Sequence, residues 1–520
     1  MVITLLDIDQ IKTFIYAAPV LRAIRGSSSM LADFNDPEGL NGVKRRLQQT
    51  GGTFIYAGGG SVLARFDSKP QATAFIKSEK QKLNAATHGG ATLTGVIEEV
   101  SSNGFGATVL QAQWKLNQAK ARRATTTQWP HHFLLKPCQA CAARPAEKRN
   151  AHRAQLVCTT CDGRIQRGGE GRTNRQRLLR TFVSEVGAAW EEAELAADLE
   201  ALAASSRDYI GVIQADGNAM GERIRRLAEL GDEKLFTDFS TECREATENT
   251  LLKALRSAYP SSRRMREHGI FPFELVIVGG DDVTIITTAD RAIQIALDFC
   301  DGFTTQMRAF AKQCGHSDLA VAMSAGVVFA HSSHPMVLLD DLAGQLLKSA
   351  KARSRQLGDD SLTPTIDFMV VTASSTNDVK TVRTEEYRRG GVGDQRLTQR
   401  PYTTTDLRKL LSAIRKMKYP DGDAQPFPRN KLQDLYEIPF NLPMQAELEY
   451  LFLRSRLADS EQKPHRLMLR KLAEAGGMTA KGMDGPWRHI EFGPTAPEGA
   501  PFDDTNLVDA VELYDFVSKP

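Results

Sequence analysis

No uninterrupted apolar stretch in this 520-residue chain approaches the roughly 18 residues that a membrane-crossing helix requires. A helical span is therefore excluded. Charge of one sign is lacking as well: 66 Lys and Arg stand against 63 Asp and Glu, leaving +3. Composition by itself thus names no polyanionic partner. The opening residues, where Val2–Leu6 is followed at once by Asp7 and Asp9, do not read as a secretory leader, and none is expected. Cysteine is scarce, and four of the seven fall in two Cys-x-x-Cys pairs. In a chain without a leader, that usage points to a reducing compartment and a metal rather than to disulfides. The expectation is a cytoplasmic protein with no membrane contact. Its length predicts three or four domains.

What is present centres on Phe273–Thr288. Two β-rich apolar runs, Leu275–Val278 and Val283–Ile286, flank Gly279-Gly280-Asp281-Asp282. This reads as a hairpin with a tight glycine tip that presents two adjacent carboxylates. An Asp-Gly turn would be ordinary. Two consecutive aspartates repel one another unless a cation sits between them. Upstream, the apolar strand Tyr209–Ile213 runs into Asp216-Gly217-Asn218-Ala-Met-Gly221 and then a helical pattern. A strand, an acidic turn and a helix start can together hold a metal-bound triphosphate. Asp216 with Asp281 and Asp282 suits Mg²⁺ or Mn²⁺, which takes few protein carboxylates and several phosphate oxygens.

Residues 1–67 hold a faded copy of this pattern. Asp7 corresponds to Asp216 and Asp9 to Asn218. Gly58 and Gly59 correspond to Gly279 and Gly280, and Gly60 and Ser61 stand where Asp281 and Asp282 stand. The first copy keeps the hairpin and has lost its carboxylates, so its glycines and backbone amides are what remains to hold a nucleotide. Between the copies, Cys138-x-x-Cys141 and Cys158-x-x-Cys161 are spaced as two knuckles around one tetrahedral Zn²⁺. All four positions are cysteine, so the site is expected to be structural. His131, His132 and His152 are then expected to be surface histidines.

The motif Asp216-Gly217-Asn218-x-Met220-Gly221 followed by the Gly-Gly-Asp-Asp hairpin resembles the catalytic palm of the large subunit of type III CRISPR effector complexes. That palm is related to the GGDEF cyclases and the class III nucleotide cyclases. The resemblance implies an α+β fold with two ferredoxin-like palms facing each other, the first of them silent, a zinc-ribbon-like insertion and a helical C-terminal domain. It implies synthesis of a cyclic oligoadenylate messenger from ATP in antiviral defence. Asp216, Asp281 and Asp282 would be metal ligands and catalytic groups. Gly217, Asn218, Gly279, Gly280, Ser324 and Lys351 would lie along the nucleotide, with Lys351 (or Lys348) on its phosphates. Gly59, Gly60 and Ser61 would face the second nucleotide, and Arg22–Ser29 could meet phosphate. Asn218 stands where some relatives carry Asp. The chain contains no His-Asp dipeptide, so the nuclease activity of relatives that use one is not expected.

The expected domains are residues 1–127 (first palm), 128–165 (zinc module), 166–205 (basic loop and linker helix), 206–375 (second palm) and 376–520 (mainly helical). Within them a single helical run is read over Gln10–Ala23, a flexible basic loop leading into a helix over Gly163–Arg180, suited either to RNA contact or to a plain linker, and an acidic helix over Ala188–Ala204. Residues 376–400 read as a surface excursion, Thr405 as a helix N-cap and 476–503 as a loop. Expected partners are nucleoside triphosphates, CRISPR and target RNA, and small effector subunits. A standalone defence cyclase with another cyclic product remains open on the sequence. So does an RNA-guided scaffold whose palm only senses nucleotides.

Overall fold

The fold is that of a computed structural model. It describes every residue except 39–41, 102–103, 123–134, 151–153, 170–173, 187–192, 261–268, 359–361, 373–377, 390–393, 458–462, 481–482, 491–501 and 520. His131, His132 and His152 lie outside the described residues.

The first palm is an antiparallel sheet of β1 (Val2–Asp9), β2 (Gly52–Gly58), β3 (Ser61–Phe66) and β4 (Thr92–Glu99) in the order β2-β3-β1-β4. β1 is almost continuously apolar and is buried along most of its length, as a strand covered on both faces must be. The run read as one helix is two, Ile11–Tyr16 and Leu21–Asn35. Pro19 lies between them, and proline can neither donate to a helix ladder nor fit into its interior. Helices Lys69–Ala86 and Gly104–Ala121 complete this half. A two-stranded hairpin follows, β5 (Lys148–Arg149) with β6 (Leu156–Val157), and then the helix Thr159–Arg167.

In the second palm, β7 (Tyr209–Gly217), β8 (Phe273–Gly279), β9 (Asp282–Thr288) and β10 (Met323–His331) stand in the order β10-β7-β9-β8. This is the strand order of the first palm, the ferredoxin-like arrangement. β11 (Thr365–Val370) extends the sheet parallel to β10. The duplication reaches the irregularities. A bulge between Phe54 and Tyr56 in the first hairpin recurs between Leu275 and Ile277 in the second, and the closing pairs are Gly58–Ser61 and Gly279–Asp282. Bulges bend a hairpin and aim its tip, so both tips are aimed alike.

The palms are not separate beads. One hydrophobic cluster contains Ile3 and Leu63 of the first, Ile213 and Phe329 of the second, and Leu411 and Tyr450 of the C-terminal helices. Arg25 reaches from the first palm to Glu274 on β8 (2.6 Å), and both side chains are buried.

Several expectations are corrected. Of the stretch read as a flexible basic loop leading into a helix, Asn174–Arg180 is helical as expected, whereas Gly163–Arg167 is helix and not loop. Three of its arginines have protein partners: Arg164 lies over the Phe14 ring, Arg167 pairs with Asp33, and Arg177 pairs with Glu248. The predicted acidic helix is only Leu199–Ala203, capped by Asp198; residues 187–192 lie outside the described residues. Residues 376–400 include a helix and two short strands and end on the buried Arg400, which pairs with Asp509 (2.9 Å) and Glu512 (2.8 Å). Charges that neutralise one another across more than 100 residues look like surface in a sequence. Thr403, not Thr405, caps the helix Thr404–Lys418. The stretch 476–503 carries short strands, among them Arg488–Ile490.

Candidate active site

β7 ends at Asp216-Gly217, and the β8–β9 hairpin brings Asp281 beside it. A Cβ on Gly217 would come within 2.8 Å of Asp281 Oδ2, so only glycine leaves room for the carboxylate. Lys351, on the helix Met336–Gln356, donates to Asp216 Oδ2 and to the Gly217 carbonyl (2.8 Å). Lys348, one turn earlier, is exposed. Asp282 feels the charges of Asp216, Lys12 and Asp340, and Lys12 and Asp340 form a cluster with Gln214. There Lys12 Nζ donates to Gln214 Oε1 (2.8 Å), and the Gln214 amide bonds Asp340.

Desolvation in this cleft raises the Asp281 pKa well above the usual carboxylate range, reinforced by the charge of Asp216 and by a hydrogen bond between the two carboxyls. Desolvation also lifts Asp282 to about 6, with Lys12 pulling the other way. A buried carboxyl that holds its proton beside a second carboxylate is a place where a divalent cation can substitute for that proton. Oxygen donors in this number, open toward a cleft, fit Mg²⁺ or Mn²⁺.

The first palm shows the same skeleton with different chemistry. Lys120, on the helix after β4, pairs with Asp7 just as Lys351, on the helix after β10, pairs with Asp216. Ser61, in the place of Asp282, donates to the second oxygen of Asp7 (2.6 Å). Asp9 accepts from Thr92 and Thr94 (2.8 Å each). Asp7 is therefore neutralised within the protein. Gly60, in the place of Asp281, has φ +90°, and a Cβ there would lie 2.5 Å from Ile11. The two glycine tips meet: Gly59 N would lie 3.4 Å from a Cβ on Gly279 and 3.7 Å from one on Gly280.

Other predicted residues are placed differently. Asn218 is buried, and its amide donates to Ser354 Oγ (3.0 Å). Ser324 is fully buried, with its hydroxyl 2.9 Å from that of Thr365. Both therefore brace the strand ends rather than face the cleft. Arg22–Ser29 is packed between the palms and the zinc module: Arg22 donates to the Ile165 carbonyl, Arg25 to Glu274 and Ser28 to the Val276 carbonyl. These contacts tie Arg22, Arg25 and Ser28 to the protein itself. Lys120 and Lys12 were missed. The signal that could have found Lys120 is its place in the repeat, on the helix after the fourth strand, where the second copy has Lys351.

The sulfurs of Cys138, Cys141, Cys158 and Cys161 lie within 4.8 Å of one another, the one such group of potential ligands among the described residues. Hydrogen bonds from Cys158 and Cys161 hold the Cys141 thiol low, and those same bonds push Cys158 up to about 11 and Cys161 higher. Cys158 and Cys161 thus resist ionisation beside the Cys141 thiolate, and a cation would offset that repulsion. The set fits Zn²⁺.

Residues 209–359 match the family described as Cas10/Cmr2, second palm domain. No curated protein sequence matches the chain. Solved structures with the same fold include Csm1 from T. onnurineus, at TM-score 0.55 and 14% identity over 99% of this chain and 69% of that one. The Csm1–Csm4 cassette in complex with one ATP gives 0.54 and 13%, over 99% and 70%. The same cassette in complex with cA4 gives 0.53 and 14%, over 99% and 69%. The chain is thus similar in its second palm and in its whole fold to the large, Cas10-like subunit of type III CRISPR complexes. Among the described residues no helix is long and apolar enough to cross a membrane.

Proposed function

We propose that this Cas10-like chain is a nucleotidyltransferase that joins ATP into a cyclic oligonucleotide at its second palm. The observation that carries this reading is the Asp216–Asp281 carboxyl pair at the rim of a cleft between two palms whose glycine tips touch. Bound Mg²⁺ or Mn²⁺ would lower the pKa of the attacking ribose hydroxyl and offset charge on the leaving pyrophosphate. Asp216 and Asp281 would hold that ion, and Asp282 would share a second ion or help to take the hydroxyl proton. Lys351 exchanges its carboxylate for the phosphates of the bound nucleotide and neutralises charge as it develops there. Backbone amides at Gly279 and Gly280 lie against the triphosphate, and Gly59, Gly60 and Ser61 face the second nucleotide. The four cysteines hold Zn²⁺ as a structural clip. A Csm4-like neighbour is a proposed partner, because the structures with this fold include Csm1–Csm4 cassettes; guide RNA and target RNA are proposed from the resemblance of the palm motifs.

The test is incubation with radiolabelled ATP and then each other triphosphate, with Mg²⁺ or Mn²⁺ and with D281A/D282A as control. A cyclic product that requires guide complex and target RNA and is absent in the variant supports the reading. A product formed without RNA makes the chain a self-sufficient cyclase. Silence in both arms while ATP still binds refutes catalysis.

A further inference from the structure

Tyr56 stands on β2 of the first palm, two residues before Gly58. Its ring folds back over its own hairpin. The hydroxyl oxygen would lie 2.8 Å from a Cβ on Gly58 and 3.6 Å from one on Gly280 of the opposite tip. The phenol therefore occupies the seam where the two glycine tips meet. It lines a cavity of about 180 Å³ together with Gly280 and Asp281. A side chain of the first palm thus reaches the edge of the second palm's carboxyl site.

That hydroxyl has no hydrogen-bond partner among the described residues. Tyrosines enclosed elsewhere are provided for: Tyr259 meets Thr287 and Thr288, Tyr402 meets Asp509, and Tyr450 meets Asp484. An enclosed hydroxyl without a partner is the exception that calls for a reason. The repeat shows what is particular about this one. Both hairpins carry the same bulge, so Tyr56 corresponds to Ile277. Isoleucine has nothing to donate, so the second palm offers the first tip no such bond in return. The polar arm runs one way, toward the tip that keeps its carboxylates.

We infer that Tyr56 donates a hydrogen bond to a phosphate oxygen of the nucleotide held at Asp216–Asp281, so that the first palm supplies part of the second palm's site. This rests on the nucleotide site proposed above. In that reading the triphosphate, not the sugar or the base, lies against Gly280, and the phenol oxygen stands beside Gly280. A phenol titrates near 10, and burial raises this one further, so it remains a neutral donor. Such a donor binds an anionic oxygen without adding a charge that competes with the metal ion.

Binding of ATP and of inorganic tripolyphosphate to the full chain is measured by calorimetry with Ca²⁺, for wild type and for Y56F. Mn²⁺ binding by electron paramagnetic resonance and a melting curve accompany each. Phenylalanine keeps the ring and removes only the hydroxyl. Y56F should weaken both ligands by the same factor, about tenfold or more, the worth of a hydrogen bond to a charged group. Mn²⁺ binding and melting should stay as in wild type. Unaltered affinity for both ligands overturns the inference, the phenol then holding only water. A loss confined to ATP overturns it too, because the hydroxyl then meets sugar or base. So does a parallel loss of Mn²⁺ binding or of melting temperature, which makes the hydroxyl a support of the fold. Wild type that binds neither ligand refutes the nucleotide site itself, whereas an unchanged Y56F beside a wild type that binds refutes Tyr56 alone. No readout needs product, so a failure of the proposed catalysis is scored separately.

Discussion

The two palms share strand order, bulge position and a helix lysine on the strand-end aspartate, yet they do opposite things with that aspartate. In the first, Asp7 faces Lys120 and Ser61, and all its charge is met by the protein. In the second, Asp216 faces Lys351 and a second carboxyl, and charge is left over. A self-neutralised carboxylate is stable and inert. An under-neutralised pair is costly until a cation arrives. The comparison teaches that a duplicated fold can be silenced by filling its electrostatic need from within, without changing the scaffold.

The sharpest way to break the contrast is to discharge the active half. D281A/D282A should abolish Mn²⁺ binding by the palms and lower product formation by about 10³-fold or more, measured by resonance titration and by product analysis. The reverse experiment, G60D, should not install activity. The residue would need a left-handed backbone and would collide with Ile11, so a lower melting temperature is the expected result.

Next in size is the clamp that holds the halves in register. Arg25→Ala strands the buried Glu274 and should cost about 3–5 kcal/mol in denaturant unfolding, whereas an apolar replacement of both partners should recover much of this. A single loss no larger than a surface pair, below about 1 kcal/mol, would show that the palms are not clamped there.

Smaller effects separate the lysines. K351A should reduce turnover by about 10- to 100-fold by removing a phosphate-facing charge. K120A should alter it less, because Lys120 already answers Asp7. Equal losses would erase the distinction between the halves.

The pH dependence is the mildest probe. Asp282 titrates near 6, above the usual carboxyl value near 4, so the folded chain holds this proton more tightly than the unfolded one. Its contribution to the stability of the metal-free protein is present below about pH 4 and is lost as pH rises through about 6. Mn²⁺ competes with the proton, so metal affinity should fall as pH drops through about 6, and metal should raise the melting temperature more at pH 8 than at pH 5.5. A flat response would separate Asp282 from the metal.

Much of this was legible in the sequence because it was local. The Gly-Gly-Asp-Asp tip, the Cys-x-x-Cys pairs and the helix Ala289–Gln313 announce themselves within a few residues. The repeat was legible because equivalent residues keep their spacing. What stayed hidden depends on partners far along the chain. Lys120 stands 113 residues from Asp7, and Arg25 stands 249 from Glu274. Arg400 reads as solvated until Asp509 and Glu512 are placed around it. Asn218 and Ser324 sit in the right motif with their side chains turned to Ser354 and Thr365, an orientation that a motif does not carry.

The meeting of Gly59 with Gly279 and Gly280 has one more consequence. With no side chain on either tip, the separation of the two nucleotide positions is fixed by main chain alone, the least compressible spacer a protein has. The tips act as a gauge. Surface change elsewhere leaves the gap untouched, while a methyl on Gly279, 3.4 Å from Gly59 N, would fill the space between the tips.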